Sequence, residues 1–431
     1  MTFAVSPAAG GGRRAARRGR PTPLSSPRVR GKTILFVGAG RHQRGAIRRA
    51  QELGLRVIAV DRNGAAAGLQ VADVGEVVDF QDVDGVIEVA RRHGVDGALT
   101  VSADRAVPIV AAVAEALGLP GIGTEVAHAM THKIAMRRKF AEEGVAQPQF
   151  AAARAMRDAA AAAQTVGFPA VLKPADSGGQ RGVFRLDSIE DLEAHLHVAL
   201  AESGGGEVVL ERFHEGLELN GIVIVRDGEP AVVTLSDRLR PPGIGFGVGW
   251  IHVYPTTIFG DELEEAARVA LHASKALGLR DGIAFPQLLV TDEGVLVIEV
   301  AARIPGGQMA DLVRHAVGVD LVEVALRQAL GEPVSDELAL PHFQQPLAIR
   351  FLTASPGPLP TGKVVSVGSL DPVLAAPGVV QADTYLEPGE TIRPVRLDGD
   401  RRGYVIATAD TNVQALERAE SAARLLEVVV E

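Results

Sequence analysis

Short apolar strands alternate with helical segments from residue 33 to about residue 125, and this alternation limits the choice of fold more than any other feature. Residues 33–37 form an apolar run closed by Gly38, residues 44–53 have helical spacing, and residues 56–60 form a second apolar run. Strands that are apolar on both faces and are separated by helices are typical of a parallel sheet covered on both sides. We therefore predict a doubly wound α/β domain over residues 32–125.

The turn after the first predicted strand carries Gly38, Gly40 and Gly45, and Asp61 closes the second strand. This pattern resembles a dinucleotide fingerprint, but the third glycine comes five residues after the second instead of three. We therefore favour a small substrate over NAD in the crevice at the carboxyl ends of the strands. Asp104 follows a later strand and is a candidate partner for a substrate ammonium, and capping of the next helix explains it equally well.

An apolar strand at residues 168–174 holds one cation, Lys173, and continues into a glycine-rich loop. The loop residues that we expect to contact phosphate are Ser177, Gly178, Gly179 and Gly182. Backbone N–H groups approach phosphate oxygens closely where no Cβ intervenes, and a lysine adds a point charge. The pattern predicts a polyphosphate site, and a flexible turn beside a surface lysine explains the loop equally well when it is considered alone.

A second strand, at residues 207–213, includes Glu211 and Arg212 and leads to His214, with Glu218 a few residues further on. A strand end offers backbone N–H and C=O groups to the edge of an adenine, and a nearby carboxylate suits ribose hydroxyls. The pattern is consistent with an ATP site and is weak by itself.

Residues 287–299 predict a two-stranded hairpin that turns at residues 292–294. Gln287 and Glu299 lie twelve positions apart, so they can face each other across the hairpin and hold a divalent cation by oxygen. Mg²⁺ suits such a pair because it takes one or two protein oxygens together with phosphates. Arg303 would place a guanidinium beside a transferring phosphoryl group. A core amide and a strand carboxylate paired with Arg303 are the structural alternatives.

Together and in this order, these elements resemble the ATP-grasp superfamily over residues 32–340. The resemblance implies a two-lobed ATP-grasp unit at residues 126–344, with a small lobe near residues 134–213, and a small C-terminal α+β domain at residues 345–431. The cofactors that it implies are ATP and Mg²⁺ or Mn²⁺. The cofactor-binding residues that it implies are Lys133, Lys173, Ser177, Gly178, Gly179, Gly182, Glu211, Arg212, His214 and Glu218. It places the metal on Gln287 and Glu299, the substrate near Asp104, Arg303 and Gly306, and catalysis on Arg303 and Lys173.

One departure from the family pattern concerns Ala301, because the family often carries asparagine there. The resulting Glu-x-Ala-Ala-Arg sequence resembles the branch that contains L-amino acid ligases, and glutamine at the first metal position is similar to carbamoyl phosphate synthases. The resemblance implies an ATP-dependent carboxylate–amine ligase that acts on small molecules through an acyl phosphate and releases ADP and phosphate. A bicarbonate-activating carboxylase and an ATP-binding regulatory protein without catalysis are the alternatives.

Composition limits the partners and the compartment. The chain has no cysteine and a net charge of −9, but residues 1–32 hold eight basic and no acidic residues. We expect a disordered basic tail at residues 1–31, an acidic body that does not bind nucleic acid, and no membrane segment. We also expect a cytoplasmic protein, and for its assembly we have only the base rate of soluble oligomers, which favours a homodimer.

Helical spacing predicts further helices at residues 151–165, 188–200, 261–277, 308–330 and 412–425. A stretch rich in proline and glycine at residues 241–249 is predicted to be a lid over the substrate. For His252, which follows that stretch, we expect a core or surface role.

Overall fold

The computed structural model describes residues 29–244 and 247–431. Most of the predicted basic tail and residues 245–246 of the predicted lid therefore lie outside the described residues. Within the part of the chain that is described, the strands form four sheets. No helix there is both long and apolar enough to span a bilayer.

The N-terminal sheet has four parallel strands. The elements of this unit are β1 (Thr33–Val37), α1 (Arg44–Glu52), β2 (Arg56–Asp61), β3 (Val74–Val77), α2 (Val83–His93), β4 (Gly97–Leu99) and α3 (Val107–Leu117). The strand order is β3-β2-β1-β4. Ile34 and Phe36 of β1 pack into a core shared with α1, whereas Leu35 and Val37 pack into a second core shared with α2 and α3. Both faces are thus covered, which confirms the doubly wound α/β prediction.

The next unit, the small lobe, is built on a four-stranded antiparallel sheet. Its elements and the helices that precede it are α4 (Thr124–Ala129), α5 (Lys133–Glu142), β5 (Phe150–Ala153), α6 (Met156–Val166), β6 (Ala170–Pro174), β7 (Phe184–Leu186), α7 (Ile189–Glu202) and β8 (Val208–Arg212). The strand order is β5-β8-β6-β7. Leu172 of β6 is fully buried against α6 and α7. Because side chains alternate along a strand, Lys173 points to the opposite face of this sheet.

The helix predicted over residues 151–165 is wrong at its start. Residues 150–153 form strand β5, which pairs antiparallel with β8, and the helix begins only at Met156. Alanine favours a helix by only a fraction of a kilocalorie per mole over most other residues. The ladder of hydrogen bonds at the sheet edge overrides this preference.

A large antiparallel sheet joins the remaining units. Its strands and the surrounding elements are β9 (Leu217–Arg226), β10 (Glu229–Leu239), β11 (Ile251–Tyr254), α8 (Gly260–Ala276), β12 (Gly282–Thr291), β13 (Gly294–Ala302), α9 (Met309–Val317), α10 (Leu321–Ala329), α11 (Asp336–Ala339), β14 (Leu347–Phe351), β15 (Gly362–Val367), α12 (Asp371–Leu374), β16 (Val379–Thr384), β17 (Thr391–Ile392), β18 (Gly403–Thr408), α13 (Asn412–Ala423) and β19 (Val428–Val430). The order is β13-β12-β9-β10-β11-β14-β18-β16, and β17-β15-β19 form a small separate sheet. Because β11 pairs with β14, the sheet continues across the predicted boundary at residues 344–345.

The helix predicted over residues 308–330 is two helices, α9 and α10. Gly318 ends α9 in the left-handed conformation, with φ +83°, and Asp320 caps α10 by accepting from the N–H groups of Val322 and Glu323. Glycine after a helix and aspartate before the next one are standard stop and start signals. The predictions at residues 188–200, 261–277 and 412–425 are confirmed by α7, α8 and α13.

Candidate active site

A cavity of 660 Å³ is lined by residues from the N-terminal sheet, the small lobe, the large sheet and the C-terminal segment. The predicted site residues in its wall are Asp104, Lys133, Lys173, Ser177, Gly178, Gly179, Glu211, Arg212, His214, Glu218, Gln287, Glu299, Arg303 and Gly306. Gly182 is the one predicted site residue outside this wall. The fold thus brings together residues that are up to about two hundred positions apart in the sequence.

Lys173 is fixed at the cavity by Glu211. The two residues lie on the neighbouring strands β6 and β8, and Lys173 Nζ is 2.6 Å from Glu211 Oε2. The other carboxylate oxygen accepts a hydrogen bond from Arg137 Nε at 2.7 Å. Burial disfavours the ionised form of Glu211, but the charges of Arg137 and Lys173 outweigh it and lower its pKa to about 2. Glu211 is therefore a carboxylate at neutral pH.

Arg137, a residue that the sequence analysis missed, links the small lobe to β13. Its guanidinium also donates to the carbonyl oxygens of Val297 at 3.0 Å and Ile298 at 2.7 Å. Its side chain is only 2 % exposed. Arg137 lies one turn beyond Lys133 on α5, and this i, i+4 spacing was the available signal that both cations lie on one face of the helix.

Lys133 connects the glycine-rich loop to the strand that carries the predicted metal ligand. Its Nζ donates to the carbonyl oxygen of Ser177 at 2.7 Å and lies 3.9 Å from Glu299 Oε1. The hydroxyl of Ser177 is buried and has no hydrogen-bond partner among the described residues. The Ser177 hydroxyl is therefore a polar group of the loop that no described residue satisfies.

The loop needs glycine for two different reasons. Gly179 and Gly182 have φ of +68°, which side chains rarely adopt. Gly178 has no such angle, but a methyl group there would lie 3.3 Å from Asp104 Oδ2. A methyl group on Gly182 would lie 2.8 Å from Pro174 Cγ and 3.1 Å from Glu202 Cβ. Gly182 therefore lets the loop pack against the small lobe, and the expectation that it contacts phosphate is not supported by its position.

The predicted metal pair lies in register. Gln287 on β12 is directly opposite Glu299 on β13, and Asn220 on β9 is opposite Gln287 on its other side. Within the described ranges, no three or more histidine, aspartate or glutamate residues are grouped closely enough to hold a metal ion. One carboxylate and neighbouring amide oxygens nevertheless fit Mg²⁺, because that ion usually completes its shell with water and phosphate.

Arg303 and Asp104 form a bidentate ion pair in the cavity wall. Arg303 Nε is 2.7 Å from Asp104 Oδ1, and its Nη2 is 2.8 Å from Oδ2. Burial raises the pKa of Asp104, but the charge of Arg303 outweighs it and the net pKa is lowered. The remaining nitrogen, Arg303 Nη1, is buried and has no partner among the described residues. The capping alternative for Asp104 is wrong, because Ala106 is the cap of α3 and Asp104 itself lies inside the short 3₁₀ turn before that helix.

The strand end predicted to bind adenine is partly occupied. The Arg212 N–H donates to the carbonyl oxygen of Gln149 at 2.8 Å, so it is not available to a nucleotide. The expectation that the Arg212 N–H contacts adenine is therefore wrong. This N–H extends the pairing of β8 with the chain that leads into β5. The His214 residue lines the cavity just beyond the strand.

Glu218, predicted to bind ribose, is held by two arginines. One carboxylate oxygen accepts from Arg238 Nη1, and the other lies 3.2 Å from Arg240 Nε. A carboxylate has about four acceptor positions, so two arginines leave capacity for hydroxyl groups.

His252 belongs to both the core and the cavity. It is 3 % exposed, and Asn220 Nδ2 lies 3.2 Å from its Nδ1. Burial, with the positive charges of Arg401 and Arg238, holds the pKa of His252 well below its usual range. The expected core role is confirmed, but the contact with the cavity was not predicted.

Three family models match successive parts of the chain. They are the ATP-grasp N-terminal domain over residues 47–121, the carbamoyl-phosphate synthase L chain ATP-binding domain over residues 131–337, and the L-amino acid ligase C-terminal domain 2 over residues 352–431. A formate-dependent phosphoribosylglycinamide formyltransferase of Burkholderia mallei is 30% identical over 420 residues, which cover 93% of this chain and 96% of the relative.

This chain belongs to the ATP-grasp superfamily.

Two solved structures show the same ATP-grasp fold. The L-amino acid ligase of Bacillus licheniformis has a TM-score of 0.79 at 20% identity, covering 93% of this chain and 99% of that one. The biotin carboxylase domain dimer of the Hydrogenobacter thermophilus 2-oxoglutarate carboxylase, in complex with MgADP, has a TM-score of 0.73 at 19% identity, covering 92% of this chain and 90% of that one. The predicted family and fold class are confirmed, and the protein is an ATP-binding enzyme of the ATP-grasp ligases.

Proposed function

We propose that this ATP-grasp enzyme is an ATP-dependent carboxylate–amine ligase that joins amino acids or similar small molecules. The observation that carries the proposal is the convergence of Lys133, Lys173, Glu299 and Arg303 on one cavity wall. The match of residues 352–431 to an L-amino acid ligase domain supports amino acids as the substrate class.

The proposed reaction has two displacement steps. A carboxylate oxygen of the first substrate attacks the γ-phosphorus of ATP, the bond from that phosphorus to ADP breaks, and an acyl phosphate forms. The amine nitrogen of the second substrate then attacks the acyl carbon, the carbon–oxygen bond to phosphate breaks, and the amine loses a proton. Phosphorylation is needed because hydroxide leaves poorly from a carboxylate.

We assign the protein's own contribution to positioning and to charge. Lys133 and Lys173 would contact the phosphates, since both ammonium groups lie in the cavity wall on the small-lobe side. Arg303 would meet the charge that builds on the transferring group, because its Nη1 has no partner in the described part of the chain. The paired Asp104 would hold the guanidinium in place.

Gln287 and Glu299 would hold Mg²⁺ or Mn²⁺, which neutralises phosphate charge when it is bound. We further assign adenine to the strand end at His214 and ribose to Glu218. Both assignments rest on the position of these residues in the cavity wall.

The test is a screen for ADP release over pairs of amino acids, with mass detection of the product. We expect ADP, phosphate and an amide in equal amounts for at least one pair. The Glu299→Ala variant should lose this activity by at least about 100-fold, as expected for loss of a metal ligand. Glu293→Ala, on the exposed turn of the same hairpin, is the matched control and should turn over normally. Normal turnover by Glu299→Ala would remove the metal assignment, and a screen without product would remove amide ligation.

We also propose a homodimer, because the biotin carboxylase domain of Hydrogenobacter thermophilus, which shares the fold, forms a dimer. Light scattering on the purified full chain is the test. A mass of twice 45.1 kDa is expected, and a mass of 45.1 kDa would contradict the proposal.

A further inference from the structure

Two N–H groups without partners meet beside Gly307, four residues beyond Arg303. The first belongs to His252, whose Nδ1 faces the amide nitrogen of Asn220. An amide nitrogen only donates, so in this orientation of the Asn220 amide Nδ1 is the acceptor, and a neutral imidazole then carries its proton on Nε2. Nε2 makes no hydrogen bond with the described residues, and the side chain lines the cavity.

The second donor is Arg401 from the C-terminal segment. Its Nε donates to the carbonyl oxygen of Asp398 at 3.1 Å, and its Nη2 pairs with the Asp398 carboxylate. Its Nη1 has no hydrogen bond in the described ranges. The guanidinium lies over Phe351, with Cζ 4.3 Å from the ring centroid, so its orientation is fixed.

Gly307 leaves the space between these two donors open. A methyl group at Gly307 would lie 3.2 Å from His252 Nε2, 3.4 Å from Arg401 Nη1 and 3.6 Å from Phe351 Cζ. The two nitrogens are therefore close enough together for one oxyanion to accept a hydrogen bond from each. They face Gly307 in the loop whose first residue, Arg303, we assign to the acyl phosphate.

The surrounding wall is positively charged. The arginines that reach it from the loop after β1, from β10 and its continuation, and from the C-terminal segment are Arg41, Arg238, Arg240, Arg401 and Arg402. The carboxylates that pair with these arginines are Glu218 on β9 and Asp398 in the C-terminal segment. Arg41 and Arg402 form no ion pair with any described residue. Arg41 instead lies over Tyr385, with Cζ 5.0 Å from the ring centroid. Arginines without carboxylate partners in a cavity wall favour an anionic ligand.

We propose that His252, Arg401 and the opening at Gly307 form a subsite for an anionic group of the amine substrate, a carboxylate or a phosphate. This inference rests on the proposed ligase function. In a reaction between two amino acids, the carboxylate of the first is consumed, whereas the second keeps its carboxylate beside the nucleophilic nitrogen. An oxyanion held near Arg303 would therefore place that nitrogen at the acyl carbon.

Matched acceptors test the subsite with the intact enzyme and a donor found in the ADP screen. L-Alanine is compared with L-alaninamide for a carboxylate, and O-phosphoethanolamine with ethanolamine for a phosphate. We expect the KM of the neutral member to be about 10- to 100-fold higher for the recognised group, as for loss of a charged hydrogen bond. Equal KM values for the charged and neutral members of both pairs would overturn the proposal.

The Arg401→Gln variant should lose this discrimination while its KM for ATP stays close to the wild-type value. Arg41→Gln is a second variant at an exposed position, so it is expected to fold, and it should reduce the discrimination in part. Arg396→Gln, an exposed arginine of the same segment outside the cavity wall, is the control. Unchanged discrimination in both Arg401→Gln and Arg41→Gln would contradict the assignment.

Calorimetry separates this proposal from the proposed function. Inorganic sulfate is titrated into the enzyme in the presence of Mg²⁺ and a non-hydrolysable ATP analogue, which occupies the triphosphate site. Sulfate binding that is lost in Arg401→Gln supports the subsite even if no amide ever forms. Amide formation that is equally fast with neutral acceptors would leave the ligase function standing and remove the subsite.

Discussion

Most cations in the cavity wall are held by a carboxylate. Lys173 is paired with Glu211, Arg303 with Asp104, and Arg238 with Glu218. Each pair fixes a long side chain before a ligand arrives, which reduces the entropy that binding must overcome. In the proposed site, phosphate oxygens would meet cations that are already oriented.

Arg137 should be the residue on which the small-lobe side of the site depends most. Arg137→Ala leaves the buried Glu211 carboxylate with one cation instead of two and removes the link to β13. We expect the free energy of unfolding to fall by about 3–5 kcal/mol and the KM for ATP to rise. Denaturant titration measures the first effect. Arg138→Ala, at the exposed neighbouring position, is the control, and equal stability of the two variants would refute the role of Arg137.

Acid should weaken the Glu211 network over a defined pH range. The pKa of Glu211 is about 2 in the folded protein, against about 4.3 in an unfolded chain. Because the folded value is the lower one, the contribution to stability is complete above about pH 4.3 and is lost as the pH falls towards 2. The gap in unfolding free energy between the wild type and Glu211→Gln should therefore narrow below about pH 4. A constant gap down to pH 3 would show that the network does not titrate in this way.

At the scale of elements, the glycine-rich loop and the β12–β13 hairpin carry many of the residues that we assign to phosphate and metal. The hairpin places Gln287 and Glu299 in register, and the same strand leads four residues later to Arg303. The loop is held at one end by Lys133 and packs against the small lobe at Gly182.

Two glycines of the loop allow the effect of backbone strain to be distinguished from the effect of packing. Gly179 and Gly182 have the same φ of +68°, but a methyl group at Gly179 meets no atom within 4 Å, whereas one at Gly182 meets the small lobe. Gly179→Ala should therefore lower the free energy of unfolding only by the strain of a side chain at positive φ, about 1 kcal/mol. Gly182→Ala should lower the free energy of unfolding by more than this. It should also raise the KM for ATP, because the loop must shift to make room for the methyl group. Equal losses in the two variants, measured by thermal unfolding and kinetics, would contradict the packing argument.

A substitution at Ala301 tests the proposed metal site on the hairpin. Ala301 lies two residues beyond Glu299 on β13, so both side chains are on the same face of the strand. Ala301→Asn adds an amide oxygen there, and we expect the half-saturating concentration of Mg²⁺ to fall. Ala301→Leu adds a similar volume without an oxygen and should not lower it. A fall with leucine, or none with asparagine, would argue against a metal at this position.

At the scale of the whole molecule, the sequence predicted what depends on short spacing and missed what depends on distant contacts. The pairing of Gln287 with Glu299 follows from a hairpin whose turn is visible between them. Arg401 reaches the same cavity from 98 residues beyond Arg303, and no local pattern indicates that approach. Likewise, the strand at residues 150–153 exists because of β8, so its alanines alone indicated a helix.

The continuity of the large sheet explains why the C-terminal segment takes part in the site. β11 pairs with β14, and β14 with β18, so residues that follow β16 are carried back to the cavity. Arg401 precedes β18 directly and lies against Phe351 of β14. Residues of the C-terminal segment are therefore part of the cavity wall.

Transfer of oxygen from the carboxylate substrate to phosphate is the most direct measurement of the central claim, that this cavity activates a carboxylate as an acyl phosphate. The donor amino acid is labelled with ¹⁸O in its carboxylate, and the released phosphate is analysed by mass spectrometry. We predict one ¹⁸O atom in each phosphate formed together with product. Phosphate without the label, formed at the same rate as the amide, would contradict the account.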